Sequence, residues 1–316
     1  MFEQTDRIVV TGAAGLVGQN LVTLLLEEGY RNIVAIDKHV ANLATLHRLH
    51  PEVECVAADL AEPGDWSRQF RGAKVVVQLH AQITGLTGAP FLRNNFTATK
   101  NVLDAVRGAA VPFLIHASSS VVNSVADDDY TRSKKAQERL VLESSVRCCV
   151  LRPTLMFGWF DPKHLGWLAR FMERVPVFPI PGHGRYMRQP LYNRDFCRVI
   201  LACMKSQPAG AVYDLTGPDR IDYIDMIRTI RDVKGLRTPI VRIPYTLFSS
   251  LLRIYAIFSS KPPFTADQLT ALTAGDEFRG VDIQAVFGFA PTPFRKAIEE
   301  TFRHPVYSDI ALESPH

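Results

Sequence analysis

The sequence predicts an α/β fold, a doubly wound parallel sheet, on three observations. Residues 8–11 form a short buried strand that runs into Gly12, Gly15 and Gly18, then into a helical apolar pattern over 19–28. Residues 32–37 are a second apolar strand, closed by Asp37. From there to residue 153 strands and helices alternate, the order that builds a parallel sheet with helices on both faces. A strand, a glycine-rich turn and a helix make a cradle for a dinucleotide pyrophosphate. Gly12 lets the chain turn off the strand, Gly15 leaves the phosphates free to approach the backbone N–H groups, and Gly18 allows close packing of helix on sheet. Asp37 stands where a carboxylate accepts ribose hydroxyls and repels a 2′-phosphate, so NAD is expected over NADP. The fold class is therefore Rossmann-type.

The remaining elements follow in order. A helical piece at 41–49 precedes a strand at 53–57 that ends in Ala58, Asp59 and Leu60. The Val and Leu run at 74–79 is a central strand, with His80, Ala81 and Gln82 at its carboxyl end. Residues 91–108 read as one long helix with Phe96, Val102, Leu103 and Val106 on one side. A strand at 113–116 opens into Ala117, Ser118, Ser119 and Ser120; a helix at 130–145 and a sixth strand at 147–151 complete the series. Beyond Arg152 and Pro153 the texture changes, and clustered prolines and glycines at 176–190 mark irregular loops. A helix at 195–204 and a strand at 212–215 are expected to return to the first unit. The domain expectation is thus a nucleotide-binding domain at 1–153, with 195–216 packing back on it. A smaller, discontinuous C-terminal substrate domain comprises 154–194 and 217–316. Its tail from 221 is expected to be mostly helical, with breaks at Pro262, Pro263 and 291–293.

At 316 residues the chain can bury a substantial core, and 47% apolar with 22% charged residues is an ordinary globular balance. A net charge of +4 gives no reason to expect nucleic acid, though it suits an anionic substrate. Cys55, Cys148, Cys149, Cys197 and Cys203 have no metal-type spacing and are odd in number, which points to reduced thiols, no metal and a cytoplasmic protein. The amino terminus leads into the first strand without room for a signal peptide. The apolar stretch 245–258 is too short to span a bilayer and contains Arg253, so no stable membrane insertion is expected.

Tyr130 and Lys134 are four apart on a helix, so phenol and ammonium share a face. A fixed positive charge favours the phenolate and makes the phenol a usable acid or base near neutrality. The pair follows a strand ending in three serines, on the carboxyl side of the sheet, where open α/β folds bind ligands.

With these pieces assembled, the chain resembles the extended short-chain dehydrogenase/reductase family, in its NAD-dependent epimerase/dehydratase branch. The resemblance implies a cofactor loop at Gly12, Ala14, Gly15, Leu16, Val17 and Gly18, followed by Asp37 and Lys38. It implies adenine contacts at Asp59 and Leu60, and a segment beneath the cofactor at Leu79, His80, Ala81 and Gln82. Asn95, Thr99 and Asn101 match the family's Asn-x-x-x-Thr-x-Asn helix. Ala117, Ser118 and Pro153 would flank the cofactor at the ends of the fifth and sixth strands. Catalysis would fall to Ser119, Tyr130 and Lys134: Tyr130 exchanging a proton with the substrate, Ser119 orienting its oxygen, and Lys134 holding the nicotinamide ribose and depressing the tyrosine pKa. Gln82, Ser119, Ser120 and Arg188 would meet substrate. Gly182, His183, Gly184, Arg188 and Asp195 resemble the loop that holds the distal part of a nucleotide-sugar. Of Arg185, Arg188, Arg194 and Arg198, only Arg188 is expected to face a diphosphate. A homodimer is expected through the helices at 91–108 and 130–145.

Two departures bear on the substrate. Tyr130 follows Ser119 by only eleven positions, a markedly shorter connection than the family's. Asn123 stands where the family commonly has a tyrosine, and no Asp-Glu pair follows Ser119, which disfavours dehydration. Asp127, Asp128 and Asp129 are expected to cap the Tyr130 helix, and His80 and His116 to serve in packing. Pro263, Phe264, Thr265, Phe278, Gly288, Phe289 and Pro291 resemble the hydroxysteroid-dehydrogenase-like branch instead. The leading expectation is an NAD-dependent oxidoreductase or epimerase of a nucleotide-sugar, by C4 epimerisation or keto-sugar reduction. The alternatives are a 3β-hydroxysteroid-dehydrogenase-like oxidoreductase of an apolar alcohol or ketone, and a non-catalytic NAD-binding scaffold. Intact Ser119, Tyr130 and Lys134 argue against the scaffold.

Overall fold

The computed structural model describes residues 2–85, 87–125, 127–258, 269 and 278–313. Its first six strands are β1 (Arg7–Thr11), β2 (Ile33–Asp37), β3 (Glu54–Ala57), β4 (Ala73–Gln78), β5 (Leu114–Ala117) and β6 (Cys148–Pro153). Four short strands follow: β7 (Met156–Phe157), β8 (Phe178–Pro181), β9 (Met187–Arg188) and β10 (Leu191–Tyr192). The chain then returns as β11 (Val212–Leu215), which pairs with β6 and completes a seven-stranded sheet in the order β11-β6-β5-β4-β1-β2-β3. Every pair in that sheet is parallel. Strands covered on both faces must be apolar throughout, and Ile8, Val9, Val10, Val75, Val76 and Val77 are fully buried. The order reverses between β1 and β4, which opens a crevice at their carboxyl ends.

Helices cover both faces. One face holds α1 (Leu16–Glu27) and α2 (Val40–Leu49); the other holds α4 (Ala98–Gly108), reached through the single turn α3 (Gly88–Phe91), and α5 (Asp129–Leu142). The single helix expected at 91–108 is interrupted by a π turn at Leu92–Thr97, which faces Asn95 inward. π turns recur at functional sites because the extra residue re-aims a side chain. Beyond α6 (Leu165–Arg174), α7 (Asn193–Ser206) packs on α1, with Asn193 donating to the Leu16 carbonyl at 2.9 Å and Arg194 pairing with Glu27 at 2.7 Å.

A separate apolar cluster gathers α6, β8, α8 (Tyr223–Val233) and the helix Phe294–Arg303 around Met172, Ile180, Ile227, Ile230 and Ile298. Here the structure departs from the sequence reading. Where loops were expected at 176–190, β8 pairs in parallel with a strand at Ile240–Ile243 and β9 pairs antiparallel with Ile221–Asp222, while the described part of the tail is mostly helical, as expected. Pro179 and Pro181 masked β8 as a loop. They alternate with Phe178 and Gly182, whose N–H groups donate to Pro239 and Ile243, so neither proline is asked for a hydrogen bond. The helix Tyr245–Phe258 exposes Tyr245 and Leu247. Among the described residues no helix is long and apolar enough to cross a membrane. Pro262, Pro263, Phe264 and Thr265, which carried part of the hydroxysteroid-dehydrogenase resemblance, lie outside the described residues. The five cysteines are free thiols.

Candidate active site

The glycine loop divides its labour unevenly. A Cβ on Gly12, at φ +72°, would lie 2.5 Å from the His80 nitrogen, so the close approach to β4 demands glycine there. A Cβ on Gly18 would run into the Ala13 carbonyl; the contact is with the loop itself rather than with the sheet, as expected from sequence. At Gly15 the nearest atom would be 3.4 Å away. Only Gly15 is spared by the protein's own packing, so its bareness serves whatever lies against the loop. Gly15 is the N-cap of α1, with no side-chain cap and no acidic residue in the first turn, which leaves the N–H groups around Leu16 and Val17 suited to an anion.

Asp37 closes β2 beside this loop. Its carboxylate accepts N–H bonds from Ala14 at 3.0 Å and His39 at 2.9 Å, and burial pushes its pKa up against those bonds. Next to it, Lys38 donates to Asn94 at 2.9 Å. Asp59 accepts from Ala61 and pairs with Arg93 at 2.7 Å, and Arg93 pairs onward with Glu62. Burial works to raise the Asp59 pKa, but Arg93 and the Ala61 N–H hold it below its ordinary value. Both carboxylate oxygens are thus engaged within the protein, and Leu60 is buried with its carbonyl accepting from Asn101.

At the carboxyl end of β4, Leu79 extends the strand by donating to the Thr11 carbonyl, and His80 follows with its Nδ1 2.9 Å from the Thr11 hydroxyl. Burial, with the charges of Lys134 and Lys38, holds His80 at about 3, so it is neutral. After Ala81, the Gln82 backbone meets the Asn95 amide in both directions: N–H to Oδ1 at 2.6 Å, and Nδ2 to the carbonyl at 3.1 Å. The same Nδ2 donates to Ser133 at 2.8 Å, which ties the π turn to α5. The Gln82 side chain accepts from Asn94 and donates to the Thr84 carbonyl.

At the end of β5 the serines diverge. Ser118 donates to Glu138 at 2.5 Å, whereas the Ser119 hydroxyl bonds the Tyr130 phenol. Ser120 is buried at the start of a 3-10 turn. Asp128 caps α5 through the Thr131 N–H and hydroxyl, as its position predicts. The Tyr130 ring lies 6.3 Å from that of Phe91. Lys134 is 1% exposed and donates to the Ala117 carbonyl at 3.1 Å and to Gln137 at 2.5 Å. The electrostatics differ from the sequence expectation. Burial raises the Tyr130 phenol, only partly countered by Ser119, and burial pulls Lys134 down to about 7 against the pull of Glu138.

Beneath α5, Glu138 forms a bidentate pair with Arg152, which also bonds Asn123; Asn123 in turn bonds Asp214 at 2.8 Å. The sequence reading missed Glu138, although its offset of four from Lys134 puts it on the same helix face. Pro153 ends β6 opposite Leu215. Of the arginine run, Arg194 pairs with Glu27 and lies over Trp159, and Arg198 pairs with Asp195 and lies over Phe289. Asp195 is buried and accepts from Thr292, so it anchors the tail rather than a ligand. Arg188 sits half-buried in β9.

Residues 8–215 match the family model described as the NAD dependent epimerase/dehydratase family. The chain belongs to that family. Among curated relatives, it is 26% identical over 244 residues to the ceramide reductase of Caulobacter vibrioides, covering 75% of this chain and 73% of that one. It is 24% identical to the mouse sterol-4-alpha-carboxylate 3-dehydrogenase, decarboxylating, covering 94% and 90%. Among solved structures, the fold is similar to the UDP-glucuronic acid 4-epimerase of Bacillus cereus in complex with NAD, with a TM-score of 0.70, 20% identity and coverage of 93% and 96%. The UDP-glucose 4-epimerase of Thermotoga maritima gives 0.73 at 18% identity, covering 93% and 97%. The family's members are NAD-dependent enzymes, and NAD is the cofactor of this one. The cradle fits it: an uncapped helix start, a bare Gly15 and a carboxylate at the end of β2.

Proposed function

We propose that the protein is an NAD-dependent oxidoreductase of an apolar alcohol or ketone, in which Ser119, Tyr130 and Lys134 carry the proton chemistry. The substrate class rests on exposed apolar side chains in the connections that leave the carboxyl ends of the central strands. Ile83, Val125 and Leu155, from the connections leaving β4, β5 and β6, are 45%, 102% and 41% exposed. Apolar side chains held in water on three adjacent connections are a surface an apolar molecule would cover, at about 25 cal/mol for each Å² removed from water. Relatives named for ceramide and for a sterol carboxylate support the same class. Arg194 and Arg198 are held in internal ion pairs, in keeping with the expectation that neither faces a diphosphate.

Bound NAD supplies or accepts the hydride. Tyr130 gives its phenolic proton to the oxygen being reduced, or takes one from the alcohol being oxidised. Ser119, already bonded to that phenol, orients the same substrate oxygen. Lys134 would hold the nicotinamide ribose, and the first turn of α1 would receive the pyrophosphate.

The nucleotide-sugar reading is the second one, favoured by Arg188, whose charge reaches Tyr223 within the second cluster. The two separate cleanly. With NADH supplied, an apolar ketone such as a long-chain 3-ketolipid or a ketosteroid should be reduced, and UDP and dTDP should show no heat of binding. Protein that binds UDP, retains NAD through purification and interconverts UDP-sugars without added cofactor would overturn the apolar reading. An epimerase returns its hydride within each turnover and has no need to exchange NAD.

Asp37 should set the cofactor choice. Its carboxylate is aimed over the loop by Ala14 and His39 and would face a 2′-phosphate with repulsion. Asp37→Ala should narrow the NAD preference in calorimetry, and equal binding of NAD and NADP by the unsubstituted protein would contradict this role.

A further inference from the structure

We propose that Gln137 is a positioning residue for Lys134, and that the polar chain behind it ties the lysine to the glycine loop. This rests on the assignment of Lys134 to the reaction centre. Gln137 is fully buried one turn beyond Lys134 on α5, and its Oε1 accepts from Nζ at 2.5 Å. With the Ala117 carbonyl, it supplies two fixed acceptors for the ammonium and leaves the third N–H free.

The amide cannot turn over. Its Nε2 donates to the Thr99 hydroxyl at 2.9 Å, and Gln78 donates to the same oxygen at 2.7 Å. Both lone pairs of that hydroxyl are then occupied, so its proton points to His80 Nε2, 3.4 Å away, a nitrogen that Gln78 Nε2 also approaches at 3.4 Å. His80 therefore carries its proton on Nδ1 and donates to Thr11, the residue before Gly12. Donation runs in one direction, from the lysine to the residue before the glycine loop, through residues on α5, α4, the segment after β4, and β1. A flipped Gln137 would present N–H groups to an ammonium and lose its bonds to both Lys134 and Thr99.

The groups facing Lys134 make this acceptor count. Glu138 on the same helix carries charge but is bound to Arg152 and Ser118. His80, after β4, and His116, on β5, are both held neutral by burial and by Lys134 itself. Lys134, at about 7, stands where a small change in acceptors changes its charge at neutral pH.

The test uses the full chain labelled with 13C-lysine, the Lys134 resonance being assigned by its loss in Lys134→Met. Gln137→Met removes the acceptor at similar length and should lower the Lys134 titration midpoint by about one pH unit or more. Gln137→Glu replaces it with a charged acceptor and should raise the midpoint by a similar amount. NADH fluorescence titrations at pH 7 should give affinity about tenfold to a hundredfold weaker in Gln137→Met, with Gln137→Glu much closer to the unsubstituted protein. Opposite shifts from one position are not produced by mere loosening of the core. Should Gln137→Met fail to fold, the Gln137→Glu midpoint carries the test alone. Unmoved midpoints, or shifts of the same sign, would overturn the proposal. No substrate is used, so a wrong substrate class leaves the result intact. NADH binding by Lys134→Met equal to that of the unsubstituted protein would count against the lysine assignment instead.

Discussion

Tyr130→Phe should bind NADH with unchanged affinity and lose turnover on the true substrate by roughly 10²- to 10⁴-fold, the usual worth of a positioned acid or base. The ring that packs 6.3 Å from Phe91 stays, and only the hydroxyl bonded to Ser119 goes. The pH dependence has a definite sign. Burial raises the phenol above its ordinary value, so the protein keeps the proton needed for ketone reduction throughout the neutral range. Alcohol oxidation needs the phenolate, and its rate should climb with pH into the alkaline range. Stopped-flow measurement of both directions between pH 6 and about 10 checks this. A Tyr130→Phe protein with near-normal turnover would remove Tyr130 from the chemistry.

Arg152→Met should cost about 3–5 kcal/mol of stability, the penalty for leaving one partner of a buried ion pair uncompensated. Glu138 is 5% exposed, and Arg152 meets both its oxygens through Nε and Nη2. Without the guanidinium the carboxylate retains the Ser118 hydroxyl as its bonded partner, and α5 loses its ion pair to β6. The double variant Arg152→Met with Glu138→Leu should recover much of the loss, because the stranded charge goes as well. Urea unfolding of the single and double variants gives the cycle. A single variant within about 1 kcal/mol of the unsubstituted protein would mean that solvent already screens the pair. The network also carries Asn123, so the residue that departs from the family's tyrosine acts as a strut between β6 and β11.

What the sequence by itself determined is local. The spacing of Gly12, Gly15 and Gly18 after an apolar strand, and Asp37 at the end of the next, located the cofactor end because each signal lies within one turn or strand. Four residues between Tyr130 and Lys134 placed them on one face because the helix repeats every 3.6 residues. The seven-stranded parallel sheet was legible for the same reason, its strands being continuous apolar runs. What only the tertiary structure decided is partnership. Arg194 and Arg198 were expected to face water and Asp195 to belong to a nucleotide-sugar loop, yet α7 packs on α1 and the tail, so their charges are spent on Glu27, on each other and on Thr292. Lys134 was read as the group that lowers the tyrosine pKa, but its ammonium is held by Ala117 and Gln137, and burial raises the phenol against the Ser119 hydrogen bond. The π turn that aims Asn95, the strand hidden by Pro179 and Pro181, and the exposure of Ile83, Val125 and Leu155 were equally invisible. Periodicity records which way a residue faces along its own element. Which group it then meets depends on elements tens to hundreds of residues away, whose approach is set by the packing of whole faces.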